Sequence, residues 1–135
     1  MTNQLFKGFL SGLTFAGLLF LASCEGKDYY QASKANERAD LNRLKAEIEK
    51  MAGQTPCNNV ADWTFVAMGA KPCGGPTHYI AYSNKIDTEL FLNKVATYEA
   101  KEKAFNVKWN IASDCMLIGP PKTIECVGDK ARLVY

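Results

Sequence analysis

The side chains with the most chemical potential are five cysteines and one histidine. Cys57, Cys73, Cys115 and Cys126 lie in the second half of the chain, with 15, 41 and 10 residues between successive members. Four thiols can hold zinc, but structural zinc sites draw on close pairs such as CxxC, and none occurs here. A redox-active pair wants similarly close spacing. The remaining chemistry is structural: four cysteines in an exported chain normally form two disulfides, each stabilising a small domain by about 2–4 kcal/mol. Three pairings are open. Cys115 and Cys126 flank Gly119-Pro120-Pro121, and a hairpin there would join them and leave Cys57 for Cys73. That second bridge would have to span a strand of roughly 20 Å at about 3.3 Å per residue. Crossed pairings avoid this difficulty, and the connectivity stays open.

His78 is the only histidine, so a Ser–His or Cys–His nucleophilic system would have to use it. No GxSxG elbow is present. Asp62, Asp87 and Asp114 could act as acid and base, but nothing in their spacing unites two of them. Cys73-Gly74-Gly75-Pro76 is glycine-rich, yet no helix follows it to cradle a phosphate. Lys94, Lys101, Lys103 and Lys108 interleave with Glu89, Glu99 and Glu102, which reads as a solvated helix face. With 16 basic and 14 acidic side chains in 135 residues the net charge is +2, too little for a nucleic-acid partner. No metal and no cofactor is expected. A small envelope hydrolase built on His78 is the alternative activity.

The fifth cysteine sits elsewhere. Residues 8–23 carry no charge, and Lys7 is the only charged side chain in the first 24 residues. A positive start, a short apolar run and small residues at its end make a secretory signal. The run is short for a membrane span, which needs about 20 apolar residues. Its end, Leu21-Ala22-Ser23-Cys24, resembles the lipobox of bacterial lipoproteins. The resemblance implies that Cys24 is diacylated on sulfur and becomes the amino terminus, leaving 112 residues anchored in membrane lipid. Two or more acyl chains hold stably where one is marginal. Glu25-Gly26-Lys27-Asp28 loosely resembles the surface-export signals of some Gram-negative lipoproteins. The expected location is the cell envelope, at the outer membrane, with the face left open.

These residues need elements to position them. Leu41, Leu44, Ile48 and Met51 recur at steps of three and four, which predicts an amphipathic helix over about 33–51, with Gly53 as its stop. Arg43–Glu47 and Lys45–Glu49 are expected as i,i+4 pairs. Two heptads are too few for a coiled coil, so the helix packs on its own domain or spaces it from the membrane; self-association through this face is the structural alternative. Trp63–Met68 and His78–Tyr82 read as strands. Asp87 caps a helix running to about Phe105 or Asn106 that buries Phe91, Val95, Tyr98 and Phe105. Gly128-Asp129 joins two further strands as a hairpin turn. The expected fold class is α+β: a small antiparallel sheet with one packed helix, preceded by the amphipathic helix and held by two disulfides. The expected segments are a signal peptide (1–23), a lipidated tether and helix (24–53) and a stapled domain (54–135).

Across 57–135, Pro72-Cys73-Gly74-Gly75-Pro76, Tyr79-Ile80-Ala81-Tyr82-Ser83, Ser113-Asp114-Cys115, Pro120-Pro121 and Cys126 are similar in layout to a set of small exported bacterial proteins, mostly without assigned function. That likeness implies a compact disulfide-linked domain and carries no catalytic residue. The expected role is a lipid-anchored binding or accessory module with an envelope protein as partner. Its contact surface would be Gly74, Gly75, His78, Tyr79 and Tyr82, where aromatics adjoin the glycine loop.

Overall fold

A computed structural model describes residues 25–135, with side chains from residue 27 onward. The expected leader, the lipobox and Cys24 lie outside the described residues. The order is α1 (Glu25–Ala52), β1 (Trp63–Met68), β2 (His78–Ser83), α2 (Thr88–Lys108), β3 (Thr123–Val127) and β4 (Lys130–Val134), with a 3₁₀ turn at Val60–Asp62 before β1. This is the α+β architecture the sequence predicts.

α1 begins about two turns earlier than its apolar periodicity suggests. No glycine or proline interrupts Lys27 to Ala52, and the stretch is rich in Ala, Lys, Glu and Arg, all good helix formers. Beyond Ala52 the chain turns out of the helix, with the Gly53 N–H donating to Glu49 O at 3.1 Å. Leu41 and Ile48 are buried, and Leu44 and Met51 pack at the margin of the same core. The face that could have joined a partner is therefore spent inside the domain.

α2 runs antiparallel to α1. Asp87 caps it by accepting the Leu90 N–H at 3.0 Å. Of its six buried residues, Phe91, Val95, Tyr98, Glu102 and Phe105 recur at steps of four and three, and Asn106 adjoins the last of them. Asn110, in the left-handed region at φ 47°, follows the helix end. Lys94 Nζ reaches Glu47 Oε2 at 2.8 Å, and Lys108 pairs with Glu37. Here the expected local ion pairs divide. Lys45–Glu49 forms at 3.7 Å, but Arg43 turns to Asp40 while Glu47 is drawn across to α2.

The strands form two separate antiparallel hairpins, β1–β2 and β3–β4. One face of the first, carrying Val66, Met68, Ile80 and Tyr82, closes the core over both helices. The second turns at Gly128 and Asp129, whose φ values of 54° and 60° are the paired left-handed conformation of a type I′ turn.

Both disulfides form, and the pairing is nested: Cys57 with Cys126 and Cys73 with Cys115. The hairpin imagined between Cys115 and Cys126 does not exist. Residues 111–121 run without regular structure, and the prolines lead into β3 instead of folding the chain back. The outer bridge ties the segment before β1 to β3. The inner one ties the β1–β2 loop to the segment after α2.

Candidate functional site

The β1–β2 connection is held open by a buried carboxylate. Glu102 is 7% exposed. Its Oε2 accepts the Ala70 N–H at 2.8 Å and its Oε1 accepts the Tyr98 hydroxyl at 3.0 Å. Arg38 Nη1 lies 3.9 Å from the same Oε1, and its guanidinium stacks 4.0 Å over the Phe105 ring. Asn106 completes the clamp by donating to Ala70 O at 2.7 Å. Burial, and then the neighbouring Glu102 charge, push the Tyr98 phenol well above the ordinary tyrosine range. Gly69 makes the approach feasible. At φ +80° it has no room for a side chain, because a Cβ would stand 2.0 Å from Thr77 Oγ1 and 2.6 Å from Glu102 Oε2.

The expectation that Glu102 is solvated is thus corrected. The signal for its burial is present in the sequence: Glu102 falls on the four–three spacing of Phe91, Val95, Tyr98 and Phe105. Charge identity hid what position showed.

Past Ala70 the chain makes a closed turn. Lys71 N–H donates to Gly75 O and Gly74 N–H donates to Lys71 O, both at 2.9 Å. Lys71 Nζ donates to Met116 O at 2.5 Å and lies 3.7 Å from Asp114 Oδ1. The Met116 N–H and the Lys71 charge hold the Asp114 carboxyl below its usual range. With the Cys73–Cys115 bridge these contacts fix the turn to the segment after α2.

Between this turn and the C-terminal half of α2 lies a cleft of about 520 Å³. Its apolar lining includes Ala67, Ala70, Pro72, Pro76, Val107 and Ile111; Lys71, Lys103, Glu99, Asn106 and Asn110 supply polar groups. Val107 is 78% exposed although it belongs to a regular helix. Gly74 and Gly75 also line this cleft.

The other three expected contact residues lie elsewhere. His78 and Tyr79 line a shallower depression of about 410 Å³, bounded by the end of α1 and by β4. Tyr79 sits edge-on to Phe65, with ring centroids 5.9 Å apart. Tyr82 packs on Phe91 at 4.6 Å, on the core side of the hairpin. Alternation along β2 sends these two rings to opposite faces.

His78 Nδ1 lies 3.0 Å from Thr77 Oγ1. Burial, and then the Lys45 charge, hold its pKa below the ordinary histidine value. Glu49 and Glu102 act on it only through space. Among the described residues no three His, Cys, Asp or Glu side chains gather as metal ligands, and no helix is long and apolar enough to cross a membrane. No family model, no curated protein and no solved structure matches the chain.

Proposed function

We propose that this protein is a lipid-anchored binding module of the bacterial cell envelope, attached through acylated Cys24 and engaging a protein partner at the cleft between the Lys71–Gly75 turn and α2. One observation carries the reading. Both walls of the cleft are held rigidly, by the Cys73–Cys115 bridge and by the Glu102 and Asn106 bonds to Ala70, while Val107 stands open to solvent at its edge. A preorganised concave site with an exposed apolar margin is what recognition uses, because little ordering cost remains to be met on binding.

The anchor follows from the lipobox resemblance, and two disulfides suit an oxidising exported setting. α1 starts at Glu25, directly after the proposed anchor, and its Tyr30 already meets Trp109 edge-on, with ring centroids 4.7 Å apart. The cleft would then be carried close to the bilayer without a flexible stalk.

Two measurements test this. Labelled palmitate should enter the wild type and not Cys24→Ala; incorporation into the variant defeats the anchor. A photo-cross-linking residue at Val107, in cells, should give a discrete adduct that Ile111→Asp abolishes, while the same residue at exposed Ala96 gives none. Identical products from both positions would remove the cleft from consideration.

A further inference from the structure

The outer edge of β1 offers unpaired backbone at a regular two-residue spacing. Asn84 N–H donates to Asp62 O at 2.8 Å, and these residues stand opposite one another in the register that pairs Trp63 with Ser83. Hydrogen-bonded and non-bonded pairs alternate in an antiparallel ladder. Thr64, Val66 and Met68 therefore direct their N–H and C=O groups to β2, whereas Trp63, Phe65 and Ala67 direct theirs away. The Trp63 N–H is turned back to Val60 O. The Trp63 carbonyl and both groups of Phe65 and Ala67 have no protein partner among the described residues.

Natural edge strands are usually blunted with charge, proline or a bulge. β1 reads Trp-Thr-Phe-Val-Ala-Met and has neither charge nor proline. Ala67, at the end of this free edge, also lines the 520 Å³ cleft. A backbone ladder thus leads directly into a pocket with an apolar wall of Val107 and Ile111. That is the arrangement by which strand addition works: main-chain bonds supply affinity and a pocket supplies selectivity.

We propose that an extended segment of a partner polypeptide adds to β1 as a third strand and runs on into the cleft, seating an apolar side chain against Val107. The proposal rests on the reading of the cleft as a partner site and names the partner's conformation and chemistry.

The test uses the full chain purified in detergent and a displayed library of random octapeptides. Peptides enriched on the wild type are synthesised, and their affinities are compared with those for Ala67→Pro. Proline there removes one outward donor and leaves the bonds to β2 in place, so the hairpin persists; thermal unfolding verifies this. The expected result is binding at least tenfold weaker to the variant. Independently of that variant, N-methylating alternate peptide residues should weaken binding to the wild type in one register and not in the other. Peptides that bind both proteins equally, the lack of any enrichment on the wild type, or insensitivity to N-methylation register would each overturn strand addition. A dimer of the wild type that Ala67→Pro abolishes would also overturn it, assigning the edge to a second copy. The Val107 adduct in cells should fall in the Ala67→Pro background; if it persists there, strand addition fails while the cleft reading stands, and absence of the adduct from the wild type removes the two together.

Discussion

Glu102 is the residue on which the site's geometry depends most directly. In Glu102→Ala the Ala70 N–H and the Tyr98 hydroxyl both lose their acceptor inside the protein. Each buried orphan costs about 1–3 kcal/mol, partly offset because a carboxylate no longer has to be desolvated, so the net loss is about 2–4 kcal/mol. Glu102→Gln keeps the shape. Its amide oxygen can accept from Ala70 while its NH₂ donates to the Tyr98 oxygen, so only the Tyr98 O–H loses its acceptor and the Arg38 contact weakens, about 1–2 kcal/mol. Urea unfolding should give a lowered midpoint with unchanged slope for both variants, Ala well below Gln. A cost under about 0.5 kcal/mol for Glu102→Ala, the range of an ordinary surface substitution, would refute the clamp. So would Ala and Gln variants of equal stability, because the argument turns on orphaned donors and not on lost charge.

Three other outcomes are expected. Ile48→Ala should cost about 2–5 kcal/mol in the same assay, because α1 is part of the core; a near-neutral result would return α1 to the role of a spacer. Peptide mapping under non-reducing conditions should recover Cys57 joined to Cys126 and Cys73 joined to Cys115, with no free thiol among the four; a Cys115–Cys126 peptide would contradict the nested pairing. Because burial lowers the His78 pKa in the folded state, the unfolded chain binds the proton more tightly. Stability should therefore be fully present above the ordinary value of 6.5 and decline as pH falls below it. His78→Gln should flatten that decline in unfolding curves from pH 7 to 5, and an unchanged slope would rule His78 out as its source.

Local signals carried most of the secondary structure. The Trp63–Met68 strand, the Asp87 cap and the Gly128-Asp129 turn each rest on chemistry within a few residues, and each is found where the sequence places it. What was illegible is long-range. Nothing near Arg43 says that Glu47 will choose Lys94, 47 residues away, because that choice depends on how two helices meet. Cysteine spacing could not exclude any pairing, since loop closure costs grow only slowly with length. The proposed contact surface grouped Tyr79 with Tyr82 by proximity in sequence, and strand alternation parted them. Glu102 was the opposite case, legible from its position and missed because it is charged.

The nested bridges bear on how the chain matures when it emerges amino terminus first. Cys57 meets Cys73 before either true partner has appeared, since Cys115 and Cys126 follow 42 and 69 residues behind their respective mates. The first encounter between thiols is therefore a wrong one. A bridge formed at once must be undone by a third thiol, and uncatalysed reshuffling takes minutes to hours. The inner bridge accordingly has to wait for Cys115 and the outer one for β3, and early packing of β1–β2 against α1 would spare the chain that detour by holding Cys57 away from Cys73.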